Sequence, residues 1–138
     1  MTSRARPIPE GHDRATPYLC VRDAASAIEF YRKAFGATEL MRLTQPDGKI
    51  GHAEIKIGAA PIMLGSGKHG PGPDNPWDTV KQGVYVYVED VDAHYARAKA
   101  AGAEIVMELK DTDYGSRGYS VRDLEGHLWS FGTYRPGT

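Results

Sequence analysis

The stretch VRDAASAIEFYRKAFGAT at 21–38 returns as VEDVDAHYARAKAAGAE at 88–104. In each copy an aspartate opens the run and a glycine closes it. Asp23 falls on Asp90, 67 residues on, and Gly36 on Gly102, 66 on, so the second helix is one residue shorter. In the first copy Ile28, Tyr31 and Phe35 recur at the spacing that lines one helix face. An aspartate ahead of such a run accepts from the unpaired N–H groups of the first turn. A glycine behind it adopts the left-handed conformation that ends a helix. A unit found twice at a fixed period is the strongest guide to a fold.

Strands flank each predicted helix. YLCV at 18–21 precedes the first; ATELMRL at 37–43, HAEIKIG at 52–58 and APIML at 60–64 follow it. The turn chemistry of QPDGK at 45–49 divides two of them. In the second half GVYVYVED precedes the helix, and AEIVMELK, YSVRD and HLWSFGT follow, the last two joined by a turn at 123–126. The order is β-α-β-β-β twice. The fold class expected is therefore α+β, with residues 14–138 as one domain of two modules, about 14–65 and 82–134. A Gly/Pro-rich loop at 65–81 joins them, and residues 1–13 are expected to form a flexible N-terminal tail.

A chain of 138 residues can bury a core without staples; this one has 17 basic and 18 acidic residues, a net charge of −1, and one cysteine. No run of like charge marks it for nucleic acid or an anionic membrane. No apolar stretch has the length of a membrane span or the pattern of a signal peptide, so a cytoplasmic location is expected.

VRDAASAIEFYRKAFGATEL, GHAEIKIGAAPIMLG, VYVEDVDAHYARAKAAGAEI and RDLEGHLWSF resemble the glyoxalase I, bleomycin-resistance protein and extradiol dioxygenase superfamily, the vicinal oxygen chelate proteins. The resemblance runs from Ala15 to Tyr134. It implies two βαβββ modules in tandem, a curled mixed sheet with a half-open barrel cleft, and helices on the outer face. It also implies a homodimer with clefts across the interface. Enzymes of the family hold a divalent metal through His, Glu or Gln ligands, two from each module, with an open position for vicinal substrate oxygens. The matching positions here are Thr16, Met63, Gly83 (or Val84 if the register slips) and Ser130. None is a competent ligand, so no metal and no other cofactor is expected.

Strand alternation nominates the cleft lining. Val84, Val86 and Val88 belong under a helix, and Tyr85 and Tyr87 face the cleft. The same parity assigns Tyr18 and Cys20, then Leu128 and Ser130, to the cleft, and His52, Glu54 and Lys56 to the cleft or its rim; the resemblance adds Met63 from its fourth-strand ligand position, and Trp77 of the loop is a lid or a tie. Trp129 and Phe131 go to the core. This lining suits a small aromatic or cationic organic molecule. His52 and Glu54 read either as an acid–base pair, a two-ligand metal remnant or a solvated hairpin face. Cys20 reads as a thiol in the cleft or a small buried hydrophobe. His127 is read as structural or at the mouth of the site rather than catalytic, His94, His69 and His12 as solvated or in the tail, and Arg117 as an anion clamp or a brace for its turn. Two functions follow: a metal-free binding protein, of which an antibiotic would be one ligand, or a lyase, isomerase or dioxygenase acting on a small metabolite. A third reading is a domain acting within a partner complex.

Overall fold

The computed structural model describes residues 15–66 and 72–136. The expected tail, His12 and His69 lie outside them. The elements are β1 (Tyr18–Cys20), α1 (Ala24–Phe35), β2 (Thr38–Thr44), β3 (Ile50–Ile57), β4 (Ala60–Gly65), β5 (Gly83–Tyr87), α2 (Val91–Ala100), β6 (Glu104–Asp111), β7 (Arg117–Arg122) and β8 (Leu128–Gly132). The repeat thus gives β-α-β-β-β twice.

Both helices are capped as their sequences require. The Asp23 carboxylate accepts from Ser26 N at 3.1 Å, and that of Asp90 from Ala93 N at 3.0 Å. Gly36 ends α1 at φ 73°, a conformation that costs other residues about 1 kcal/mol.

Two four-stranded mixed sheets result, in the orders β1-β4-β3-β2 and β5-β8-β7-β6. In each, the first strand pairs parallel with the last and the other pairs are antiparallel. The registers align one row across each sheet. Tyr18, Met63, Glu54 and Met41 cross the first. Tyr85, Ser130, Ser120 and Met107 cross the second. Edge strands β2 and β6 each break register just before the row methionine, between Glu39 and Met41 and between Ile105 and Met107.

One face of each sheet is covered by helix and the other is left open; no closed barrel forms. The covered faces share one core. Ala53, Ile55, Ile62 and Leu64 supply it from the first sheet, and Val86, Tyr119, Val121, Trp129 and Phe131 from the second. Helix α1 reaches both: it packs on β3, while the Phe35 ring lies 5.1 Å from Trp129 and 4.7 Å from Phe131. Buried aromatics of this size cost about 3–5 kcal/mol each on truncation to alanine. Because α1 touches both covered faces, the open faces look away from this shared layer.

Buried polar groups join the modules. Asp123 Oδ2 accepts from Tyr31 Oη at 2.6 Å and Trp129 Nε1 at 2.9 Å, while Oδ1 accepts from the backbone N–H of Glu125 and His127. Burial first, and the Asp123 charge second, push the Tyr31 hydroxyl well above the ordinary phenol range. His127, fully buried, accepts from Gln82 N at Nδ1 (3.1 Å) and donates from Nε2 to the Cys20 carbonyl (2.9 Å). These partners fix its tautomer, so it is structural, as its sequence context indicates.

Two expectations need correction. His94 is half-buried rather than solvated, its ring 4.3 Å from Phe131, with Nδ1 2.5 Å from the Tyr119 hydroxyl and Nε2 3.3 Å from the Phe35 carbonyl. Helix α2 buries only Val91 and Ala98 as apolar residues, so an imidazole completes its inner face. Arg117 neither braces its turn through carbonyls nor stands free for an anion: it pairs with Asp92 of α2 and Asp111 of β6.

Candidate functional site

The nominated residues fall on the two open faces. On the first, β1 and β3 place Tyr18 over His52, stacked with ring centroids 5.8 Å apart and 22° between planes. His52 Nε2 lies 3.1 Å from Glu54 Oε2, both half-exposed. Met63 sits between Tyr18 and Glu54 in register. Trp77 joins this group from the loop, its ring 6.4 Å from Tyr18. Burial first, then the neighbouring Cys20, raises the Tyr18 hydroxyl above its ordinary value.

The described part of the loop, 72–81, is a strap across the end of β1. Asn75 Nδ2 donates to the Ser66 carbonyl at 2.8 Å, and its Oδ1 accepts from Trp77 N at 2.9 Å. Asp78 is buried and paired with Arg22, whose Nε lies 3.1 Å from Oδ1. The Gln82 amide donates to the Tyr18 carbonyl. Asn75 also covers Cys20, with Nδ2 3.9 Å from Sγ and the cysteine only 4 % exposed. Burial first, then the Asp78 charge, raises the thiol, which disfavours the nucleophilic thiolate.

On the second face Tyr85 and Ser130 line a cavity of about 360 Å³. Ser120 and Ser130 form a hydroxyl pair, Oγ to Oγ 2.8 Å, on its floor. Tyr85 Oη donates to the Tyr134 carbonyl at 2.6 Å, and Tyr114 meets the Tyr134 ring edge-on at 6.1 Å. Burial raises the Tyr85 hydroxyl above its ordinary value. Tyr87 lies apart from this group. Its hydroxyl accepts from Arg135 at 3.2 Å, and that guanidinium stands 5.1 Å over its ring.

Thus Tyr18, His52, Glu54, Met63 and Trp77 come together, and Tyr85 and Ser130 come together elsewhere. Cys20 is roofed over, and Tyr87 is engaged by the C-terminal segment. Reading the sequence missed Ser120, Met107, Tyr114 and Tyr134. Alternation in YSVRD was signal enough for Ser120, since Tyr119 and Val121 are core. The register shift hid Met107, and Tyr114 and Tyr134 lie in segments with no periodicity.

The register makes Met63 and Ser130 equivalent, and Thr16 and Gly83 each stand two residues ahead of a row tyrosine. A thioether, two hydroxyls and a glycine do not form a donor set for a divalent cation. Among the described residues no three His, Cys, Asp or Glu side chains group closely enough to hold a metal.

A family model described as "Glyoxalase/Bleomycin resistance protein/Dioxygenase superfamily" matches residues 13–131. An uncharacterised protein of Mycobacterium tuberculosis is 42 % identical over 123 residues, covering 85 % of this chain and 72 % of its own. Among solved structures, TioX from Micromonospora sp. ML1 is similar with a TM-score of 0.72 and 35 % identity, over 91 % of this chain and 99 % of its own. A lactoylglutathione lyase from Agrobacterium tumefaciens shares the fold, with a TM-score of 0.66 and 23 % identity, over 90 % and 95 % of the two chains.

Proposed function

Because the chain belongs to the glyoxalase/bleomycin resistance protein/dioxygenase superfamily, we propose that it is a binding protein of that superfamily. It holds a small aromatic or cationic organic molecule against its open sheet faces, without a metal. The observation that carries this reading is the matched pair of rows. Both halves keep a tyrosine and a methionine at equivalent ends, Tyr18 with Met41 and Tyr85 with Met107. Between these ends the rows differ, with Met63 and Glu54 in the first and Ser130 and Ser120 in the second. Aromatic and thioether groups at the ends of each row, with polar groups between and around them, suit a flat amphipathic ligand better than a small chelating one.

The open faces look away from the shared helix layer, so one chain leaves each face uncovered. A second copy completes them, setting the Tyr18 face of one protomer against the Tyr85 face of its partner and making two clefts per homodimer. Sequestration of an antibiotic without altering it is the physiological reading that fits such a cleft.

Calorimetric titration of the purified protein with glycopeptide and quinone antibiotics is the test. Saturable heat that persists in chelator is expected. No heat with any of them removes the reading.

One contact favours an enzyme instead, a lyase, isomerase or dioxygenase acting on a small metabolite: the 3.1 Å approach of His52 to Glu54. Elemental analysis of protein purified without chelator separates the two. A stoichiometric divalent metal supports the enzyme.

A further inference from the structure

We infer that the first open face is a subsite for a basic nitrogen, so that the ligand is a planar aromatic cation with its positive end at Glu54. This rests on the binding reading above and names the chemistry of one half of that site. Three observations carry it.

Glu54 is a carboxylate set between two thioethers of its row. Its row neighbours are Met63 and Met41. Its hydrogen-bond partner on the face is His52, and its side chain keeps 37 % exposure. It therefore retains acceptor capacity for an incoming N–H.

Aromatic rings lie beside its partner His52. Tyr18 stacks on His52 and meets the Trp77 ring at 58°. Trp77 is 52 % exposed although the strap bearing it is tied down by Asn75 and Asp78. A fixed strap that holds a large ring half in solvent beside a tyrosine leaves a surface to stack on. Aromatic faces carry negative charge density and attract a cation, so they act in the same sense as the carboxylate.

The basic residues nearby do not oppose this. Arg22 is paired with Asp78. Lys56 shares the open face of β3, but it stands opposite Pro61 and Thr38, beyond Glu54 and away from His52 and Tyr18. At the equivalent row positions the second face presents the Ser120–Ser130 hydroxyl pair; Glu108, Lys110 and Arg117, which also line its cavity, carry both signs of charge, so a carboxylate within the row is a feature of the first face.

Three acridines of one shape test this on the full chain: 9-aminoacridine as the cation, acridone as the neutral form and acridine-9-carboxylate as the anion. Calorimetry gives affinities. Tryptophan emission locates the site, because Trp77 is exposed and the other tryptophan, Trp129, is fully buried. The cation is expected to bind about tenfold or more tighter than acridone, with quenching, and the carboxylate not to bind. Glu54→Gln, at an exposed-face position, should bring the cation to the level of acridone while the melting temperature holds. Trp77→Ala should weaken cation and neutral ligand together.

Equal affinity for all three acridines overturns the charge assignment and leaves the aromatic-binding reading standing. Cation binding that ignores Glu54→Gln, or that leaves Trp77 emission unchanged, puts the ligand elsewhere and also overturns it. No saturable binding of any of the three counts against both readings.

Discussion

Four donors converge on the carboxylate of Asp123: the Tyr31 hydroxyl, the Trp129 indole and two backbone N–H groups. An amide cannot accept at both ends, so Asp123→Asn sets an NH₂ against donors in a buried site. A loss of about 3 kcal/mol, or about 10 °C in Tm, is expected in a thermal melt. His94, half-buried against Phe35 and Phe131, gives a pH signature. Burial first, with a smaller contribution from the Arg97 charge, lowers its pKa below the ordinary 6.5, against the opposing hydrogen bond to Phe35. The unfolded chain then binds the proton more readily than the folded one. Stability is complete above about pH 6.5 and is lost as the pH falls through the folded-state value. His94→Gln, which keeps a neutral polar group there, should flatten that acid limb of stability measured by urea unfolding. The sequence did not reveal this role, because a helix with few apolar residues gives no clear inner face.

At the scale of elements, helix caps and strand alternation were legible, and the strap was not. Asp23 with Gly36 and Asp90 with Gly102 mark helix ends by local chemistry, so they hold wherever the helices pack. The segment 72–82 has no period, and distant partners tie it down: the Ser66 carbonyl holds Asn75, Arg22 holds Asp78 and the Tyr18 carbonyl holds Gln82. Asn75→Ala removes the bonds to Ser66 and Trp77. It should cost about 2 kcal/mol and speed amide hydrogen exchange of Trp77, Asp78 and Val80, while the β3–β4 hairpin keeps its protection. If those amides exchange as in the parent protein, other contacts hold the strap. The edge strands show the opposite limit. Their bulges, ahead of Met41 and Met107, were invisible in alternation because a bulge is what breaks it.

For the whole molecule the open faces decide the next question. Leu43 and Met107 are 57 % and 54 % exposed, on β2 and β6, and Leu128, Tyr85 and Tyr114 add to the apolar surface. Exposed apolar area on both open faces marks an interaction surface. For the proposed homodimer, paired charges at its margins, Leu43→Lys with Met107→Lys, should give monomer in sedimentation without lowering Tm, and abolish ligand binding with it. A monomeric parent protein at micromolar concentration would remove the composite cleft. The described residues contain no helix long and apolar enough to cross a membrane.

The sequence by itself determined the repeat, the helix ends and the sorting of strand residues between core and open face. These depend on spacing and residue chemistry, which are local. Only the tertiary structure decided that α1 packs on both sheets, that the nominated residues divide between two faces, that Asn75 roofs Cys20, and that Tyr114 and Tyr134 join Tyr85. Each of these is a contact between segments far apart in the chain, set by how a single helix layer can bury two sheets at once.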